Sequence, residues 1–255
     1  MARTKTNKNQ VRQNALNDID DMETDQMREL LKLNYKIKPK FKSKKQKELS
    51  DLIKDNRITF VTGAPGTGKS FIALKTGLEL LKEKSANIGD MLLTTPVVEI
   101  SRSIGSLPGD LDTKISQYFQ HFYDNMSKII DSRTLKFLKE TEIINDKIVN
   151  FIRGSTFGKT DDVGNSVGTY CVLDEGQNLY VSEMKAYISR LGEGSKMVIL
   201  GDIEQCDLKL RKNEKNGLQD AIERFKNIEG IGFFHFDEDD IVRDPFLIEI
   251  MKRYK

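Results

Sequence analysis

The sequence predicts an α/β fold: a mainly parallel sheet flanked by helices, in a single core domain. Three observations carry this. The apolar run Ile58-Thr59-Phe60-Val61-Thr62 leads into Gly63-Ala64-Pro65-Gly66-Thr67-Gly68-Lys69-Ser70 and then into Phe71-Ile72-Ala73-Leu74, which reads as strand, glycine-rich loop and helix. A second apolar run, Tyr170-Cys171-Val172-Leu173, ends in Asp174-Glu175, as a strand buried on both faces of a parallel sheet does. Around these, strand-like and helix-like patterns alternate, the mark of a sheet built from crossovers.

The first elements lie ahead of the loop. Residues 1–12 carry Arg3, Lys5, Lys8 and Arg12 with no acid and almost no apolar side chain, a composition that does not repay ordering. Residues 16–31 space Leu16, Ile19, Met22, Met27, Leu30 and Leu31 at near-helical intervals among acids, predicting an amphipathic helix. Residues 1–40 are therefore set apart as a basic tail, ahead of a core domain over 41–255. From Lys32 to Lys47 there are eight lysines and no acid, interleaved with Tyr35 and Phe41. Such a stretch suits phosphate backbones and base stacking, and equally suits a solvated linker. Ser43 to Leu49 reads as a capped helix start that runs through Leu52 and Ile53 toward the first strand.

The loop Gly63–Ser70 fits G-x-x-x-x-G-K-[ST], a phosphate loop. Its glycines let backbone N–H groups close around phosphate oxygens at a helix N-terminus. Lys69 is expected to reach the β- and γ-phosphates and Ser70 to ligate Mg²⁺. Chance would supply the pattern in about one chain in a hundred of this length, and the flanking strand and helix make chance less competitive still. The segment from Gly63 through Ala64, Pro65, Gly66, Thr67, Gly68, Lys69 and Ser70 to Phe71 is the expected ATP-binding segment.

Beyond it, Phe71–Leu81 is too apolar for a one-faced helix and is expected to wedge against the sheet. Met91–Thr95 is a short strand stopped by Pro96, and Leu107–Leu111 a turn. Ile115–Ile130 is a helix whose Tyr118, Phe119, Phe122 and Met126 form a core stripe. Ile143-Ile144 and Ile148–Ile152 read as strand pieces and Arg153–Thr160 as a loop. The run ending in Asp174-Glu175 has the form of a Walker B strand, with Asp174 holding Mg²⁺ through water and Glu175 polarising the attacking water. A helix follows over Ser182–Leu191 with Ser182 as its cap. The strand Lys196–Leu200 then delivers Gly201-Asp202-Ile203-Glu204-Gln205, where Asp202 and Gln205 can face the γ-phosphate or the attacking water. Gly217–Phe225 is a helix, Ile231–Phe236 a closing strand, and Pro245–Tyr254 a last helix.

Composition bounds the function. With 41 Lys+Arg against 39 Asp+Glu the net charge is +2, so any hold on nucleic acid depends on where charges sit. No apolar run approaches a membrane span and the N-terminus lacks a secretion-signal core, which predicts a cytoplasmic protein. Two cysteines, Cys171 and Cys206, and two histidines, His121 and His235, without a C-x-x-C, make zinc improbable and reduced thiols the default.

From about Lys38 onward the chain resembles the PhoH family, phosphate-starvation-inducible P-loop ATPases similar to the first motor domain of superfamily-one helicases. The residues that carry the resemblance are GAPGTGKS, TPVVE at Thr95–Glu99, SLPGDLDTK at Ser106–Lys114, RGST at Arg153–Thr156 and VLDEGQN at Val172–Asn178. They continue in MKAYISRLGEGSKMVILGDIEQCDL over Met184–Leu208 and IVRDP at Ile241–Pro245. The resemblance implies a RecA-like P-loop NTPase fold, with Gln46 reading adenine and Gln177 and Gln205 coupling the γ-phosphate to nucleic acid. It makes Arg190 and Arg243 candidate phosphate-sensing arginines. It also departs from the family: Thr95 and Ser155 stand where arginines are usual, and Asp244 where histidine is. Two positive charges are thereby lost beside the proposed nucleic-acid path. The favoured expectation is a Mg²⁺-dependent ATPase handling RNA or single-stranded DNA, with an arginine supplied by a neighbour in a homo-oligomeric ring, by resemblance of six. The alternative is a nucleotide-dependent binding switch without translocation. A small-molecule kinase fits the DEGQN and GDIEQ strand ends less well.

Overall fold

A computed structural model of the chain describes residues 35–97, 111–152, 154, 156–160, 164–241 and 253. The helix expected over 16–31, Arg243 and, residue 253 apart, the last helix expected over Pro245–Tyr254 lie outside them. All elements below belong to one compact unit beginning at Ile37. In chain order they are α1 (Lys44–Asp55), β1 (Ile58–Gly63), α2 (Lys69–Lys82), β2 (Ile88–Thr95), α3 (Leu111–Ser127), α4 (Ser132–Glu140) and β3 (Ile144–Ile148). Then come β4 (Lys159–Thr160), β5 (Ser166–Leu173), α5 (Val181–Ile188), β6 (Lys196–Gly201), α6 (Gly217–Arg224) and β7 (Ile231–Phe236).

Six strands pair in parallel in the order β3-β2-β5-β6-β1-β7, and β4 adds an antiparallel pair at the start of β5. The two chemically loaded strands are thus not neighbours: β6 separates the loop-bearing β1 from the acid-bearing β5. Because the strands run the same way, Gly63, Asp174 and Asp202 all emerge at one edge, where ligands of open α/β sheets bind.

Each face of the sheet is covered by helices whose side chains explain the placement. On one face α2 packs against β5: the Tyr170 hydroxyl donates to the Ala73 carbonyl at 2.8 Å. A Cβ on Gly77 would come within 2.4 Å of the Tyr170 ring, so this close approach of helix to strand requires glycine. Helix α1 joins α2 through the Thr76 hydroxyl, which donates to Ser50 Oγ at 2.9 Å. On the other face, Leu179, Met184, Tyr187, Leu218 and Ala221 pack with Phe60, Cys171, Leu173, Met197 and Ile199 in one buried cluster. Burying each large side chain there contributes about 1.5–3 kcal/mol. Among the described residues no helix is long and apolar enough to cross a membrane.

Several boundaries differ from the sequence expectation. Strand β2 begins at Ile88 rather than Met91, because Ile88 and Asp90 already pair with Gly168 and Thr169 of β5. Helix α3 spans Leu111–Ser127 rather than 115–130, and α4, which the pattern does not announce, follows it, capped by Asp131 accepting from the Thr134 N–H at 3.0 Å. The expected strand over Ile148–Ile152 is a single 3-10 turn at Val149–Phe151, since the chain leaves the sheet after Ile148. Lys159–Thr160, expected in a loop, pair with Ser166 and Val167. Ser182 does not cap α5: the helix begins at Val181, and Glu183 Oε2 accepts the Tyr180 N–H at 2.9 Å. The lysine-rich stretch is partly committed. Lys45 pairs with Asp237 at 2.7 Å and with Asp240, Lys44 lies 3.3 Å from Glu48, and one face of Phe41 is occupied by Lys75 at 4.1 Å from the ring centre.

Candidate functional site

The loop after β1 is shaped by its glycines. Gly63 has φ +131°, and a Cβ there would lie 2.2 Å from the Phe236 carbonyl of β7; Gly66 and Gly68 have φ of 86° and 93°, the left-handed region that favours glycine. Buried Thr67 locks the turn by donating its hydroxyl to the Ala64 carbonyl at 3.0 Å. Gly68 then serves as the N-cap of α2, whose first N–H groups and positive dipole end face the loop. Lys69 Nζ folds back and donates to the carbonyls of Gly63 and Ala64 at 2.5 and 2.9 Å. Burial pushes the Lys69 ammonium below the usual lysine range, against the opposing charges of Asp174, Asp202 and Glu175.

Ser70 joins this loop to β5: its hydroxyl donates to Asp174 Oδ2 at 2.7 Å. His121 Nε2, from α3, lies 3.3 Å from the same oxygen. Burial alone would raise the Asp174 carboxyl, but the hydrogen bonds from His121 and Ser70, with the His121 charge, hold it below the usual range. For His121 burial acts downward, and the Asp174 hydrogen bond and charge overcome it to leave the imidazole raised. Glu175 is pushed upward by burial and then by the Asp174 charge, although its side chain projects into the cleft and keeps solvent access. Its backbone is left-handed, φ 57° and ψ 35°, a strained setting for a non-glycine residue.

Behind these groups lies Gln177, fully buried. Its amide nitrogen donates to Glu175 Oε2 at 2.6 Å and to the Gln205 carbonyl at 3.1 Å, while its Oε1 accepts the Asp202 N–H at 3.0 Å. The ends of β5 and β6 are therefore tied through one side chain. Asn178 repeats the tie one residue on, its Oδ1 accepting the Asp207 N–H at 2.8 Å.

The loop, the acids and α3 enclose an open cleft of about 590 Å³. Of the expected site residues, Pro65, Gly66, Gly68, Lys69, Ser70, Phe71, Asp174, Glu175, Asp202 and Gln205 border it. Gly63, Ala64 and Thr67 shape the loop from behind, and Gln177 acts from below the cleft surface. Gln46 is buried; its Oε1 accepts the Lys42 N–H at 2.9 Å, and its Nε2 lies 3.2 Å from where a Cβ on Gly68 would stand. Arg190 borders a different cavity with Val149, Glu183 and Tyr187, and Arg243 lies outside the described residues. Sequence reasoning missed His121 and Asn125 of α3 and Lys128 just past its end, which border the cleft. Their spacing marks one helical face, but nothing local says which element that face meets.

A parallel α/β sheet with a glycine-rich loop at a helix N-terminus, and an acid pair one strand away, defines a P-loop protein built to hold a nucleotide. The chain belongs to the PhoH-like protein family, whose model matches residues 36–255. It is 37% identical over 209 residues to a PhoH-like protein of Bacillus subtilis (strain 168), an alignment covering 82% of this chain and 61% of that protein. It is 32% identical over 204 residues to protein PhoH of Escherichia coli (strain K12), covering 79% and 54%. The chain thus spans 54% to 61% of the length of these two relatives. Among solved structures a looser likeness is to the Pif1 helicase from Candida albicans, with TM-score 0.41, 14% identity and coverage of 84% of this chain and 44% of that one.

Proposed function

We propose that this chain is a Mg²⁺-dependent ATPase that couples hydrolysis to the handling of RNA or single-stranded DNA. The observation that carries the reading is the Ser70–Asp174 contact at 2.7 Å, which brings loop hydroxyl and strand-end carboxylate to one point beside Glu175. Both are hard oxygen donors and Asp174 is held ionised, so the pair suits Mg²⁺, which binds through a carboxylate or two and keeps waters. Held by Ser70 and Asp174, the metal would supply positive charge against the negative charge of the nucleotide's phosphates.

The protein's own groups do the rest. Loop N–H groups and the α2 N-terminus hold the phosphates, and Lys69 exchanges the Gly63 and Ala64 carbonyls for phosphate oxygens. Glu175 takes the proton of the attacking water at its carboxylate, a role its upward shift favours. Gln177 positions that carboxylate. Asp202 and Gln205 meet the γ-phosphate end, and because Gln177 links both strand ends, loss of that phosphate can be relayed from β5 to β6. Gln46, which stands beside Gly68, is assigned by the family resemblance to reading adenine. An arginine from a neighbouring subunit of a homo-oligomeric ring, Arg190 or Arg243, completes the charge.

The test is ATP turnover with and without single-stranded RNA or DNA, alongside a mass measurement of the assembly. Stimulation by nucleic acid supports the coupled ATPase. Turnover that nucleic acid leaves unchanged favours a nucleotide-dependent binding switch, which the Gln177 linkage also suits. Absence of nucleotide turnover in the assembled protein rejects the reading.

A further inference from the structure

Helix α3 presents two unlike faces. Phe119, Phe122 and Met126 are fully buried, which fixes how the helix lies on the sheet. His121 and Asn125 occupy another face of it, Lys128 follows in the turn just past Ser127, and all three border the phosphate cleft. The helix is pinned near both ends of this face. His121 Nε2 lies 3.3 Å from Asp174, and just past Lys128 the Ile129 carbonyl accepts the Lys38 N–H at 2.8 Å. Between these anchors the Asn125 and Lys128 side chains make no ion pair or hydrogen bond among the described residues.

The charge balance of the cleft makes that lysine informative. Asp174, Glu175 and Asp202 border it, against Lys69, Lys128 and the imidazole of His121, which is engaged with Asp174. Lys69 is committed to two loop carbonyls, and a polyphosphate adds further negative charge. An ammonium carries three donors and no acceptor. As a point charge it suits phosphate oxygens rather than the mixed donor and acceptor edge of a base.

We propose that Lys128, held in the turn just past the end of α3 with Asn125 three residues back, is a second phosphate-binding residue of this cleft, acting within the chain on the polyphosphate of a bound nucleotide. The inference rests on the nucleotide reading above and extends it: part of the positive charge that meets the phosphates comes from the end of α3, not from the loop or from another subunit. His121 keeps α3 against the strand end so that Lys128 faces the cleft.

The experiment is calorimetric binding of inorganic tripolyphosphate, ADP and a non-hydrolysable ATP analogue to the full chain, in Mg²⁺ and at two salt concentrations. Tripolyphosphate isolates phosphate contacts from base contacts. Lys128→Ala should weaken tripolyphosphate and the ATP analogue about tenfold, the scale of one charge-assisted hydrogen bond, and reduce the salt dependence of both. Lys128→Arg should stay within about threefold of the parent, since a cation is kept. Lys128 is exposed, so the thermal unfolding of the alanine variant should match the parent and separate lost binding from lost fold. Parent-like tripolyphosphate affinity in Lys128→Ala, with Lys69→Ala impaired, overturns this inference and leaves the nucleotide site standing. A parent chain that binds neither tripolyphosphate nor nucleotide overturns both.

Discussion

Gln177→Met tests whether the two strand ends are held by one side chain. Methionine has nearly the same volume, so packing is preserved, but three hydrogen bonds are removed: the donations to Glu175 and to the Gln205 carbonyl, and the acceptance from the Asp202 N–H. Gln205 is exposed and its carbonyl regains water, whereas the Asp202 amide, half-buried, loses its partner. An unmade bond of that kind costs about 1–3 kcal/mol, and the buried thioether returns part of it, leaving a loss of about 2 kcal/mol. For a chain of this size that lowers the unfolding midpoint by about 4–8 °C. Glu175 loses the partner at 2.6 Å that orients it, and misplacing a reacting group by about 1 Å costs up to a hundredfold in rate. Nucleotide affinity should change little, because Gln177 does not border the cleft. Gly201→Ala crowds the same amide, its Cβ lying 2.6 Å from Gln177 Oε1 and also 2.6 Å from buried Leu218, and should lower turnover likewise with a larger loss of stability. Thermal unfolding, nucleotide binding and steady-state turnover measure the three effects. Parent-like unfolding and turnover in Gln177→Met, or a loss of nucleotide affinity as large as the loss of turnover, would refute the linkage.

The other expectations address separate parts of the molecule. Lys69→Ala should weaken ATP binding, whereas Glu175→Gln should bind ATP normally and turn over about a hundredfold more slowly, the scale of a lost general base; equal turnover in Glu175→Gln and the parent removes Glu175 from the mechanism. Burial alone would raise the Glu79 carboxyl, but the hydrogen bonds from Lys54 and Lys75 overcome it and hold it below the usual range. Its stabilising contribution is therefore present above the unfolded carboxylate pKa and lost as pH falls through the lower folded value. Glu79→Gln should destabilise at neutral pH by about 1 kcal/mol, a difference from the parent that disappears in acid when urea unfolding is followed against pH. Replacing exposed Lys38, Lys40, Lys42 and Lys47 by glutamine should flatten the salt dependence of RNA binding by up to about three units of slope, at about 0.7 per single-strand phosphate contact; an unchanged slope assigns them to solubility. Mixing Lys69→Ala with Arg190→Ala, or with Arg243→Ala, should restore some turnover if either arginine acts across a subunit interface, and no recovery in assemblies shown to be mixed removes the shared site.

The parts of this protein legible in sequence are those whose physics is local. A phosphate loop needs glycines, a lysine and a hydroxyl at fixed offsets, and contiguous residues from Gly63 to Ser70 carry all of that geometry. Strand β5 is readable for a similar reason: burial on both faces demands the unbroken run Tyr170–Leu173, and the acids follow where the strand leaves the sheet. The 3.6-residue period that marked Phe119, Phe122 and Met126 as core also placed α3, within a few residues at its ends. Short elements escaped, because nine residues of α4 or two of β4 hold too little periodic signal to compete with their neighbours, and caps such as Tyr180–Glu183 depend on where the chain enters a helix. Tertiary structure alone decided which distant residues share the cleft. His121 meets Asp174, Lys128 borders the cleft, Gln177 spans β5 and β6, and Arg190 borders a different cavity. Each of these follows from strand order and helix docking, and both are set by the summed burial of apolar faces far apart in the chain rather than by any short stretch of it.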